Sequence, residues 1–263
     1  MNIISLSAFD LSLAALLVVL LSILGLILQL GITRQLLVAG LRTTVQLLLI
    51  GVILKTLFEN TNLWYMAIIA MLMLLLAGRE VMARQTHRYK GMWGFAMGTT
   101  AMFVSTFTVT LLALTVIINT DPWYTPQYAI PLLGMMLGNT MTGIALGLER
   151  LTQAAREKRS QIEAQLILGY SGSESVSSIR REAMRYGMIP IINAMAAAGI
   201  VSLPGMMTGQ ILSGTPPLEA VKYQILIMFL ITAGTGFGTV VAVIMGSRRL
   251  FDGRERLRLD RLN

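Results

Sequence analysis

Seven stretches of mostly apolar residues divide this chain, and most of them approach or exceed about twenty residues, the length a helix needs to cross a bilayer core. They run approximately over residues 11–30, 36–57, 63–78, 92–118, 128–148, 188–212 and 218–246, the third being short. A helix satisfies its own backbone hydrogen bonds in lipid. The expectation is therefore an all-α, polytopic membrane protein, with residues 1–263 forming a single transmembrane domain. Charge is scarce in the same sense: Asp, Glu, Lys and Arg make up 13% of the chain, against about 25% in soluble domains. Residues 1–8 hold no Lys or Arg, so the positive start of a cleavable signal is missing and 11–30 reads as a retained first span.

The net charge of +8 could suggest nucleic acid, but its placement fits membrane topology better. With seven spans and the C-terminus inside, 18 of the 21 basic residues fall on the cytoplasmic side. They are Arg34, the group Arg79, Arg84, Arg88 and Lys90, and the clusters between Arg150 and Arg185 and between Arg248 and Arg261. Only Lys55 and Lys222 fall outside, and Arg42 lies early in the second span. This skew predicts N-out, C-in and no nucleic-acid partner. A six-span arrangement would move a basic cluster outside. Trp64, Tyr65, Trp123, Tyr124 and Tyr128 flank the predicted outer loops, while Tyr89 and Trp93 flank an inner one, as expected of aromatic belts at the membrane interface.

The residues exclude several chemistries. With no cysteine there is neither a disulfide nor a thiolate site. No G-x-x-x-x-G-K-[ST] occurs, so the chain has no P-loop of its own. Gly234-Thr235-Gly236-Phe237-Gly238 has the wrong spacing for a dinucleotide fingerprint. The lone histidine, His87, lies in a basic loop and supports no catalytic triad. The chain is expected not to be an enzyme and to hold no cofactor. Ion-driven carriers bury carboxylates or histidines in their spans, and none is evident. The midspan polar residues are Arg42 with Gln46 a turn on, and Asn139, Thr140, Asn193 and Gln210. Arg42, Gln46, Asn139, Asn193 and Gln210 are the candidates to line a path, unless they only bond helix to helix. Pairs of glycines four apart, at 94/98, 134/138, 143/147, 205/209 and 234/238, allow close helix approach.

One long polar segment, 149–187, interrupts the apolar pattern on the predicted cytoplasmic side. Residues 149–168 are rich in helix formers, with Arg159 and Glu163 four apart for an ion pair. Gly169 is a natural helix stop, and Ser171 with Glu174 three on matches a capping box that would start a new helix. The expected shape is helix, break, short helix, then membrane: a docking element at the membrane surface. Glu163-Ala164-Gln165 followed by Gly169 resembles the E-A-A-x-x-x-G signature of ABC importer permeases, with Gln165 in place of the second alanine and no I-x-L-P at the usual offset. That resemblance implies coupling to an ATPase through Glu163, Ala164, Gly169, Ser171, Glu174 and Ile179.

A second resemblance covers nearly the whole chain. Gly134-Met135-Met136-Leu137-Gly138-Asn139-Thr140-Met141 is similar to the G-M-x-x-G-N-x-M segment of the FetB (YbbM) family of ABC permeases. Residues 201–209, with Pro204-Gly205-Met206-Met207, resemble its V-S-L-P-G-M-M-x-G; residues 220–225 resemble its A-I-K-Y-Q-I; and Arg42 to Leu47 resembles its G-R-x-x-x-Q-L. The resemblance implies a multi-pass permease of the bacterial inner membrane that exports iron. It would work as a homodimer with two copies of a separate ATPase, which binds the ATP and Mg; plant relatives are linked to aluminium tolerance. Met135, Met136, Met206 and Met207 are candidate metal contacts, although thioethers suit Cu(I) better than iron and also serve as flexible packing. The alternatives are an ATPase-independent carrier or channel, and a non-transporting scaffold whose basic loop docks a regulator or anionic lipid.

Overall fold

The computed structural model describes residues 7–59 and 62–263. Residues 1–6, on which the retained-first-span reading partly rests, lie outside the described residues. The described elements are helices joined by turns, with isolated β-bridges and no strands among them; they are α-helical except for π-helical turns at Phe103–Phe107 and Ala113–Ile117 and the 3-10 turn given last. In chain order they are α1 (Ala8–Ile27), α2 (Thr33–Glu59), α3 (Leu63–Ala83), α4 (Trp93–Ile117), α5 (Pro126–Glu157), α6 (Arg159–Ile167), α7 (Gly172–Ser175), α8 (Ser177–Ala197), α9 (Gly205–Leu212) and α10 (Pro217–Arg249). A final 3-10 turn covers Leu259–Arg261. The protein is an all-α, multi-pass membrane protein: among the described residues six helices, α1 to α5 and α10, are long and apolar enough to cross a bilayer.

Residues 7–59 with 212–214 form one unit, and 62–211 with 215–263 form another. In the first, Ser7 and Asp10 make a capping box that starts α1. The turn to α2 uses Gly31 at φ +71, and Thr33 Oγ1 donates to the Ser22 carbonyl at 3.1 Å. In the second, α5 is the centre, packed against α10, α8 and α3, while α4 packs on α3 and α10. Leu148, Leu151, Ile144 and Met136 on α5 are fully buried there.

Because lipid tails are as apolar as leucine, such helices associate through close packing rather than water exclusion. Small residues decide where this is possible. A methyl group on Gly143 of α5 would lie 2.6 Å from Thr235 Cγ2 and 3.0 Å from the Gly187 carbonyl oxygen. One on Gly187 of α8 would lie 2.7 Å from Thr239 Cγ2. The α5–α8–α10 junction is thus built backbone to backbone. Of the glycine pairs in the sequence, 143/147 and 234/238 sit at such crossings, whereas Gly138, Gly205 and Gly209 have open space beside them.

The apolar stretch 188–212 is not one continuous helix. α8 ends at Ala197; Gly199 takes φ +86 and donates to the Ser202 carbonyl at 2.9 Å. Pro204 then removes a backbone donor, and only the eight-residue α9 follows. Ile200 and Val201 in the break are 90% and 83% exposed. Hydrophobicity alone could not separate a helix from this turn–helix unit. A second correction concerns Tyr89, expected at the membrane interface. It is 1% exposed, and its hydroxyl donates to the Gly246 carbonyl at 2.8 Å, so it is a core residue, with burial pushing its phenol well above the usual range. Trp64, Trp93 and Trp123 are exposed, as interface residues should be.

Candidate docking site on the loop between α5 and α8

The polar segment begins as an uninterrupted continuation of α5. At 1.5 Å per residue its 32 residues reach about 48 Å, longer than the hydrocarbon core of about 30 Å, so α5 projects out of the membrane. The helix breaks first at Lys158, a step the sequence reading did not anticipate, and α6 follows. Arg159 Nε donates to Glu163 Oε1 at 2.8 Å, the expected i,i+4 pair. α6 then closes as a Schellman motif. The Tyr170 N–H donates to the Gln165 carbonyl at 3.1 Å, the Gly169 N–H to Leu166 at 3.0 Å, and Gly169 holds φ +90. A residue with a Cβ would be strained in that backbone conformation.

The restart is the capping box expected from Ser171 and Glu174. The Ser171 hydroxyl accepts from the Glu174 N–H at 3.3 Å, and Glu174 Oε2 accepts from the Ser171 N–H at 2.9 Å. The Ser171 hydrogen bonds, side chain first, hold the Glu174 carboxyl below its ordinary value. The single turn of α7 leads directly into α8.

Two sets of side chains hold this element. Ile162, Val176, Ile179 and Ala183 are buried in the main core, so Ile179 anchors the loop from beneath. Glu182 on α8 straps it to the end of α5, accepting from Arg150 Nε at 2.9 Å and pairing with Lys158 Nζ at 3.3 Å. Arg150 and then Lys158 hold its carboxyl below the ordinary value of 4.5. The C-terminal segment adds a clamp. Glu255 accepts from the Gly172 N–H, and Phe251 lies so close to Gly172 that a methyl group there would sit 2.7 Å from its ring. Asp252 organises that segment by accepting from the N–H groups of Arg254 and Arg256, each at 3.0 Å. The Arg256 backbone and then its side chain hold the Asp252 carboxyl well below the usual range. Asn263 ties the end of the chain to the Arg88 carbonyl at 2.9 Å.

Held this way, the loop presents an apolar tip. Ile167 is 86% exposed, Leu168 76% and Tyr170 54%. These residues were not singled out from the sequence. The usable signal was an Ile-Leu pair directly before the helix-ending Gly169 inside a basic, polar stretch. Beside the tip, Ala164, Gly169 and Glu174 are exposed, and Glu163 and Ser171 are partly so.

The other candidate residues lie on several different helices. Arg42 and Gln46 are exposed on α2. Asn139 is exposed on α5 with its Nδ2 donating to the Met135 carbonyl at 2.8 Å, Asn193 is exposed on α8, and Gln210 is half-buried on α9. Met136 is buried against Gly234 of α10, Met135 is half-buried, and Met206 and Met207 lie on α9. Among the described residues, no three His, Cys, Asp or Glu side chains gather into a cation site. The buried polar groups near the α5–α10 crossing are instead hydroxyls. Methyl groups at Gly238 and Gly143 would lie 2.8 Å from Ser105 Oγ and from Thr239 Oγ1, with Thr140 and Thr235 alongside.

The sequence profile of UPF0014, an uncharacterised protein family, matches residues 8–251. A UPF0014 membrane protein of Synechocystis sp. is 40% identical over 228 residues, covering 87% of each chain. The protein named "Probable iron export permease protein FetB" of Escherichia coli is 26% identical over 236 residues, covering 87% of this chain and 86% of that one. "Protein ALUMINUM SENSITIVE 3" of Arabidopsis thaliana is 28% identical over 233 residues, covering 88% and 83%. No solved structure matches the chain.

Proposed function

We propose that this chain, which belongs to the UPF0014 family, is the membrane-spanning permease subunit of an ABC exporter driven by a separate ATPase. The observation that carries the proposal is the tip Ile167-Leu168-Gly169-Tyr170. Three exposed apolar side chains crown a loop that is otherwise polar, basic and firmly anchored. A solvated connector has no use for them, whereas a groove on a soluble partner buries them and gains about 25 cal/mol for each Å² removed from water. The capping box, the Schellman turn and the Glu182 strap make the loop rigid enough to carry motion into α5 and α8.

The chain has no P-loop to bind ATP, so the energy enters through a partner that carries one. On this reading two copies of the permease pair with two ATPases in a bacterial inner membrane, N-out and C-in, with residues 188–212 crossing as a broken helix. The relative named a probable iron export permease makes iron the first cargo to test. An exporter of hydrated or chelated iron needs no dehydrating carboxylate cage within its spans.

The test is co-purification with a candidate ABC ATPase from the same organism. Wild type is expected to retain the ATPase through size exclusion. Leu168→Glu, which places a charge on the exposed tip without touching the core, is expected to lose at least about tenfold of it. Equal retention by both proteins would show that the tip is not the docking surface.

A further inference from the structure

A groove of about 450 Å³ lies between the C-terminal part of α3 and the start of α4, lined by Leu75, Leu76, Arg79, Met82, Gly91, Met92 and Phe95. Its walls are apolar and open: Leu75 is 42% exposed, Leu76 48% and Met92 75%. In a multi-pass membrane protein, such a face meets lipid. One charged group, Arg79, stands in this lining. Among the described residues no carboxylate lies within ion-pairing distance of it.

The groove sits at the level where the helix leaves the membrane. Arg79 comes 16 residues after Leu63, the first residue of α3, which is about 24 Å along the axis. Trp93, next to Met92, is exposed at the same end of α4, with the Arg249 guanidinium 4.1 Å from its ring centre. An aromatic ring carrying a cation marks the headgroup level. The connection from α3 to α4 adds Arg84, Arg88 and Lys90 and, before Trp93, no acidic residue.

We propose that this groove is a binding site for an anionic phospholipid, with an acyl chain along Leu75, Leu76 and Phe95 and the phosphate at Arg79. An apolar trough ending in an unpaired guanidinium at the headgroup level matches a lipid with a negative head and leaves a zwitterionic one only the weaker hold of its acyl chain. The proposal rests on the membrane fold, with the proposed topology used only to place a control, and is independent of the transport reading.

The test uses the delipidated, detergent-purified full chain, titrated with phosphatidylglycerol, phosphatidylcholine or inorganic phosphate while thermal unfolding is followed. Wild type is expected to prefer phosphatidylglycerol to phosphatidylcholine. Arg79→Gln is expected to weaken phosphatidylglycerol binding about fivefold, the worth of one basic residue near an anionic surface. Lys222→Gln, at the opposite membrane face on the proposed topology and ion-paired with Glu219, is expected to change nothing. Leu76→Trp keeps the charge and fills the trough, and it is expected to lose binding of both lipids. An unchanged phosphatidylglycerol preference in Arg79→Gln would overturn the proposal. So would equal stabilisation by inorganic phosphate alone, or self-association through the groove that lipid fails to compete away.

Discussion

At the scale of single residues, the crossing of α5 and α8 turns on two hydrogens. The side-chain hydrogens of Gly143 and Gly187 face one another's backbones, and a Cβ at Gly187 would also press on Thr239. Gly187→Val is therefore expected to destabilise the protein by about 1–3 kcal/mol or more through overpacking. Gly209→Ala, with open space around it, is expected to be tolerated. Thermal unfolding in detergent checks both, and equal melting temperatures for the two variants would contradict the crossing. The spacing of glycines was legible in the sequence, but which pairs meet a neighbour was not. Gly143 and Gly209 belong to similar small-x-x-x-small pairs and differ only in what the fold brings against them. Tyr89 shows the same limit, since a tyrosine beside a basic loop reads as an interface residue until Gly246 is seen to accept its hydroxyl.

At the scale of elements, the loop between α5 and α8 was legible in most of its parts because its signals are local. Gly169, Ser171 with Glu174, and Arg159 with Glu163 each act within a few residues. The anchors that hold the loop were not legible, because they join distant segments: Glu182 with Arg150, and Glu255 with Gly172. The Glu182 strap has a definite pH dependence. Its pKa is lowered by folding, so its stabilisation is present above the ordinary carboxylate value of 4.5 and is lost as pH falls through the lowered one. Glu182→Gln is expected to lower the melting temperature by about 2–4 °C at neutral pH, the scale of a partly exposed pair. The difference from wild type is expected to shrink in high salt and to close well below pH 4.5. A difference that stayed constant from neutral to strongly acid pH would assign the effect to packing instead.

At the scale of the whole molecule, the multi-pass helical fold was legible from apolar run length, yet one run in the sequence became a break and a short helix. Gly199 and Pro204 were visible, but hydropathy averages over them. The fate of this stretch decides topology. If residues 188–212 cross the membrane, the loop holding Ser173 and the turn holding Ser213 face opposite sides. The chain lacks cysteine, so single replacements report cleanly. Ser213→Cys is expected to react with an impermeant maleimide added outside the cell, and Ser173→Cys only after the membrane is opened. Reaction of both from the same side would remove the crossing at 188–212 and the N-out, C-in arrangement with it.

On the proposed function, this chain moves its cargo only with the help of a second protein's ATP. Proteoliposomes holding the permease with or without the ATPase decide this when iron movement across the bilayer is followed. Iron flux is expected to require ATP, both proteins and an intact Ile167-Leu168-Gly169-Tyr170 tip. Iron flux of equal size from the permease alone, without ATP, would show that no partner ATPase drives it.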